Sequence, residues 1–285
     1  MATLDRGGVK LSHEEAGSGT PAMVFVHGWT CDRSYFAPQC EHFRESHRVI
    51  ALDLRGHGDS DAPEGDYSMS VLADDVAWLC TQLGVTGAVV VGHSMGAIVG
   101  IELTARHPQL VSALVLVEPG PIAPPPELAA LLSGFVEAMS GPDPEAVRRD
   151  FVSKSLFLPS DDPVLKERVL VEMLAAPNHV ALECFRGMAT WPGETVIKAV
   201  GVPVLAVHAD TSINEPERLA ALCQLLRMPR RPEWVTSTTC SPRRRSTGSS
   251  NSSSARQSLV WPGTPVVTGG SPAEVLRCRV SFRRR

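Results

Sequence analysis

Over the first 227 residues, short apolar runs alternate with longer segments whose apolar positions recur every three or four residues. Residues 23–26, 49–52, 88–91 and 114–117 are strand-length runs that are apolar throughout, as in strands buried on both faces. Residues 3–5 and 9–15, with Gly7-Gly8 between them, predict an antiparallel hairpin. Between the runs, helical character predicts helices over residues 34–46, 69–83 and 95–106, the last stopping before Pro108. Strands and helices alternating at this spacing predict an α/β fold, with a mostly parallel sheet covered by helices on both sides.

The rhythm changes at Pro119. Residues 119–200 carry clustered prolines and four helical segments, at 127–139, 144–153, 163–175 and 179–188, with no convincing strand. Strand character resumes at 202–207, and a helix follows over about residues 216–226. The reading is a core of residues 1–118 and 201–227, with residues 119–200 inserted as a helical cap over the strand ends. Beyond 227 the chain is of another kind. Residues 228–285 hold 11 Arg, no Lys and two acids, a net charge of +9 that leaves −13 on the rest. This tail is rich in Ser and Pro and lacks periodicity over most of its length, so disorder is expected there.

At 43% apolar and 20% charged residues, the chain has enough apolar content for one large core. No apolar run approaches the roughly 18 residues of a membrane helix, and residues 1–10 have no apolar stretch of a secretory signal. A cytoplasmic location without membrane attachment is therefore expected. Seven cysteines without metal-type spacing read as free thiols, and neither a metal nor a cofactor is expected. The Arg-rich tail lacks Lys and interleaved aromatics, which argues against a nucleic-acid arm. Oligomeric state is not legible.

Three loops at strand ends carry the candidate chemistry. Gly92-His93-Ser94-Met95-Gly96 follows a strand and opens a helix, the setting in which a G-x-S-x-G turn exposes a nucleophilic serine. The helix start aims the Met95 N–H at an oxyanion, and His27-Gly28-Trp29, at the same edge of the sheet, offers a second donor, the Trp29 N–H. His27 itself reads as a structural histidine pinning its loop. Asp53-Leu54-Arg55-Gly56-His57-Gly58-Asp59-Ser60 reads as a tight turn rather than a chemical group.

Taken together, these three motifs resemble the small capped α/β-hydrolases in order and approximate spacing, over about residues 1–227. The resemblance implies an eight-stranded sheet with a helical cap, a nucleophile after strand five, an acid after strand seven and a histidine after strand eight. It implies hydrolysis of a small-molecule ester. Ser rather than Asp at position 94 disfavours aspartyl-type dehalogenase or epoxide hydrolase chemistry. Asp210, delivered by the strand at 202–207, matches the acid, although Ser212 stands where the family more often has it; a solvated loop aspartate is the bland alternative. Glu118 is a weaker substitute. A cofactor-free haloperoxidase or perhydrolase, a C–C bond hydrolase and a non-catalytic binding protein remain open on the same scaffold.

The histidine implied near position 236 is missing, because no histidine follows His208. The codons of Glu233-Trp234-Val235-Thr236-Ser237, read one base earlier, can spell Val-Gly-His-Phe, the sort of phrase the family places there. In the same frame, residues 246–254 can spell an amphipathic terminal helix. The tail from about Arg227 thus reads as a frame-shifted translation, with the terminal strand and helix missing and activity impaired.

Overall fold

The computed structural model describes residues 1–158, 161–208 and 212–227. Eight strands form one sheet: β1 (Ala2–Arg6), β2 (Val9–Ala16), β3 (Met23–Val26), β4 (Val49–Leu52), β5 (Ala88–His93), β6 (Val111–Val117), β7 (Val204–Val207) and β8 (Leu226–Arg227). Their spatial order is β1-β2-β4-β3-β5-β6-β7-β8. β1 and β2 form the antiparallel hairpin and β2 runs antiparallel to β4, whereas every other pairing is parallel. Because β3 to β7 are parallel, their C-terminal ends share one edge of the sheet, where loops from distant parts of the sequence meet.

Side-chain alternation along these strands divides the core in two. Phe25, Val49, Ala51, Val89, Val91, Ala113, Val115 and Leu205 pack on one face with Phe36 and Phe43, the latter from α1 (Ala37–Phe43). Val24, Val26, Ile50, Leu52, Val90, Leu114, Leu116 and Ala206 pack on the other, against α2 (Met69–Gln82) and α3 (Met95–Arg106). Both faces being buried explains why these strands are apolar throughout.

Among the described residues, five helices lie between β6 and β7: α4 (Pro126–Met139), α5 (Pro144–Ser155), α6 (Pro163–Leu174), α7 (Asn178–Ala189) and α8 (Gly193–Ile197). α5 and α6 begin where the side chains of Asp143 and Asp162 accept from the Ala146 and Val164 N–H groups. α8 was not expected, because five residues are too few for periodicity to register. The helix expected over residues 34–46 divides into a 3₁₀ turn (Arg33–Phe36) and α1, with Pro38 in the first turn of α1. α9 (Pro216–Leu222) is shorter than its apolar pattern, because Leu226 already pairs with Val204 in the sheet. Among the described residues the eighth strand is thus present over Leu226–Arg227, where the sequence reading expected none. The tail calls and the terminal helix lie outside the described residues. No helix among the described residues is long and apolar enough to cross a membrane.

Candidate active site

Ser94 sits between β5 and α3 with φ 51° and ψ −116°, a backbone that side chains other than glycine rarely adopt. Its turn is held by Ser94 N–H donating to Val117 O (3.0 Å), and by Ala97 N–H (3.0 Å) and Gly120 N–H (3.1 Å) donating to Ser94 O. The glycines of the motif answer to close approach. A Cβ on Gly92 would fall 2.3 Å from Gly96 O, and one on Gly96 would fall 2.1 Å from Val26 O. Neither position admits a side chain while α3 starts this close to β3 and β5.

The other non-glycine residues with positive φ among those described are Thr30 (54°) and Glu118 (41°). Together with Ser94, they stand in the loops that leave β3, β5 and β6. Strained backbone concentrated at one sheet edge marks a functional site.

The loop after β3 lies directly over the serine turn. A Cβ on Gly28 would meet Ser94 Cβ at 3.3 Å and the His93 imidazole at 2.9 Å. Met95 follows Ser94 in the chain and Trp29 follows Gly28, and among the described residues neither main-chain N–H donates to a protein acceptor. Two such amides beside a serine at a helix start suit an incipient negative charge.

His27 is fully buried and saturated. Leu54 N–H donates to Nε2 (3.0 Å), so Nδ1 carries the proton and donates to Gly28 O (2.8 Å). Burial lowers its pKa from 6.5 to about 4, and the ring is a pin between two loops rather than a base. His57, its ring centroid 5.0 Å away and tilted to that of His27, is lowered to about 3 by burial and by His27. His93 is likewise lowered to about 4 by burial.

The turn after β4, read from the sequence as a tight turn, is braced by buried carboxylates. The buried Asp53 carboxylate pairs with Arg33 and accepts from the Arg33 (2.8 Å) and Asp59 (2.9 Å) N–H groups, while Ser60 Oγ donates to Asp53 O (2.7 Å). Asp75, also buried, pairs with Arg55 and Arg6 and braces the same turn against α2.

The inserted helices dock on these loops through specific bonds. Trp29 Nε1 donates to Ala181 O of α7 (2.8 Å), Tyr35 Oη to Glu172 of α6 (3.2 Å), and Trp191 Nε1 to Glu102 of α3 (2.7 Å). Around the Trp29 indole stand Phe135, Phe151 and Phe185, with ring centroids 6.1, 6.0 and 5.3 Å away and edges toward the indole.

Asp210, the expected acid, lies outside the described residues. Glu118 N–H donates to Val207 O (2.8 Å), which sets its carboxylate at the strand end next to that of Ser94. Sequence reasoning missed Asn214. Its side-chain amide accepts from Ile122 N–H (3.1 Å) and donates to Pro119 O (2.6 Å) and Gly120 O (3.0 Å), so it ties the loop before α9 to the segment bonded to Ser94. No local signal marks such a residue, since its partners are about 90 positions away in the chain.

Comparison with known proteins agrees with this geometry. The family pattern described as alpha/beta hydrolase fold matches residues 21–238. A 2-(acetamidomethylene)succinate hydrolase of Mesorhizobium japonicum is 39% identical over 115 residues, 40% of this chain and 41% of that protein. An sn-1-specific diacylglycerol lipase of Mus musculus is 34% identical over 206 residues, 70% of this chain and 61% of that one. The chain thus spans about two fifths and three fifths of these relatives. A thermophilic esterase from Thermogutta terrifontis superposes with a TM-score of 0.67 at 26% identity, covering 79% of this chain and 86% of its own. Strand order, serine turn and matched family pattern converge: the chain belongs to the alpha/beta hydrolase fold family.

Proposed function

We propose that Ser94 is the nucleophile of a carboxylic ester hydrolase acting on a small or medium apolar substrate through an acyl-enzyme. The observation that carries this reading is the strained φ of Ser94 at a strand-to-helix turn, and the main-chain N–H groups of Trp29 and Met95 are assigned as the oxyanion donors. Ser94 Oγ attacks the ester carbonyl, and the two amides hold the oxyanion as it forms. Asp210 orients the general base, an imidazole that the displaced reading frame would supply near position 236. Helices α4 to α8 act as the cap, and the rings of Phe135, Phe151 and Phe185 favour an apolar acyl or alcohol group.

As written, the chain lacks that imidazole. Its turnover then rests on oxyanion stabilisation and binding, which alone leave about 10³- to 10⁴-fold acceleration over water. The test is short-chain p-nitrophenyl ester hydrolysis by this chain and by a frame-restored protein, side by side. The restored protein is expected to turn over at least a hundredfold faster and to lose that gain with Ser94→Ala. A restored protein that folds but neither hydrolyses esters nor labels with a fluorophosphonate would overturn the reading in favour of a binding protein on this scaffold.

A further inference from the structure

The end of β6 and the segment after it hold both main-chain groups of Ser94. Ser94 N–H donates to Val117 O (3.0 Å), and Ser94 O accepts from Gly120 N–H (3.1 Å). Gly120 lies so close to the turn that a Cβ there would fall 3.6 Å from the Ser94 carbonyl carbon and 2.9 Å from Ile98 Cδ1 of α3. Between these two contacts stands Glu118 with φ 41°, so the segment that supports one strained residue is itself strained. Strain of this kind persists only where surrounding contacts over-determine it.

Asn214 supplies such contacts. It stands in the loop between β7 and α9 and is 6% exposed. Its Oδ1 accepts from Ile122 N–H (3.1 Å), and its Nδ2 donates to Pro119 O (2.6 Å) and Gly120 O (3.0 Å). One planar group thus pairs three main-chain groups within residues 119–122. Its own N–H donates to Ser212 Oγ (3.3 Å), which fixes the amide from behind. On another side of the segment, a Cβ on Gly193 at the start of α8 would fall 2.1 Å from Ile122 O, so residues 119–122 have little room to move that way.

The partners specify the side chain. An N–H needs an oxygen and two carbonyls need an NH₂, and no other side chain of this size offers one acceptor and two donors in a plane. A carboxylate would turn lone pairs toward two carbonyl oxygens. An aliphatic chain would leave three main-chain groups without their partner.

We propose that Asn214 is a positioning residue for Ser94: its amide clamps residues 119–122, so that Gly120 and Val117 hold the serine in its positive-φ turn. The proposal rests on the reading of Ser94 as nucleophile. The path is two hydrogen bonds long, from Asn214 Nδ2 to Gly120 O and from Gly120 N–H to Ser94 O. Release of the segment lets the serine backbone relax toward common φ values and carries the hydroxyl off line from the ester carbonyl. A misplacement of about 1 Å is enough to cost about a hundredfold in rate. The bonds of the Asn214 side chain reach none of Phe135, Phe151 and Phe185, so substrate binding is spared and the loss falls on kcat.

Two measurements test it. In the full 285-residue chain, amide hydrogen exchange is compared between the parent, Asn214→Asp and Asn214→Leu. Gly120 N–H should exchange at least about tenfold faster in both variants. Val89 N–H, bonded to Ala22 O at the opposite end of β5, should change less. In the frame-restored protein, kcat for short-chain p-nitrophenyl esters should fall about a hundredfold per folded molecule, with KM within about twofold of the parent. Asn214→Ser, which keeps one donor and one acceptor, should lose about tenfold, and it stands in if the other two do not fold. Gly120 exchange quickened no more than that of Val89 would make Asn214 a general stabiliser and overturn the proposal. A kcat within about twofold of the parent overturns it as well. Turnover unaffected by Ser94→Ala, or no turnover by a folded restored parent, overturns the nucleophile reading instead, whatever the exchange shows.

Discussion

At the scale of single residues, backbone geometry at the serine turn separates two kinds of glycine. Gly96→Ala would drive a Cβ to 2.1 Å from Val26 O, within the backbone of the neighbouring strand. We expect a loss of more than about 3 kcal/mol in urea unfolding, or no folded protein. Gly134, inside α4, has open space around its missing Cβ, and Gly134→Ala should stabilise by about 0.5–1 kcal/mol. The buried histidines make a separate prediction. With its pKa lowered to about 4, folded His27 stays neutral over a range in which the unfolded chain, titrating near 6.5, binds a proton. Stability should therefore fall as pH drops from 6.5 to 4, by about 3 kcal/mol from this residue, and His27→Gln should flatten that part of the profile in denaturant titrations. Much of this scale was legible in the sequence, because G-x-S-x-G, His27-Gly28-Trp29 and the Asp53 turn are dictated by local backbone demands. Asn214 was not, because its partners Pro119, Gly120 and Ile122 stand about 90 positions away in the chain.

Among the elements, Trp29 joins two that the sequence keeps far apart. Its indole is bonded to Ala181 of α7, and its main chain follows Gly28, which lies against Ser94. Trp29→Phe keeps the main chain but removes the indole bond, and should destabilise by about 1 kcal/mol. Hydrogen exchange should quicken in α7 more than in α3, whereas an equal effect on both helices would show that the bond does not anchor the inserted helices. The strands were readable because burial on both faces leaves a plain apolar run, and α4 to α7 because each is long enough to show its period. The break within residues 34–46 and the short α8 depend on packing that periodicity does not register.

For the whole molecule, the sheet's far edge is the weak point. Among the described residues β8 pairs with β7 through Leu226 and Arg227, and short edge strands contribute little to closing a core. Restoring the displaced frame should raise the thermal midpoint by about 2–4 °C for each kcal/mol gained, measured calorimetrically against this chain. Resequencing the gene gives an independent check: independent clones that keep the present frame, with related genes showing the same tail, would rule out the frame-shift reading.

The chain leaves the sheet at Val117 and re-enters it at Val204, on adjoining strands that pair in register. Entry and exit therefore sit side by side, like the two ends of a bracelet clasp. The helices strung between them begin beyond residues 119–122, which brace the serine turn, and can be exchanged for others without rebuilding the strand ends beneath, so recognition of new molecules can evolve, or be engineered, independently of the reacting groups.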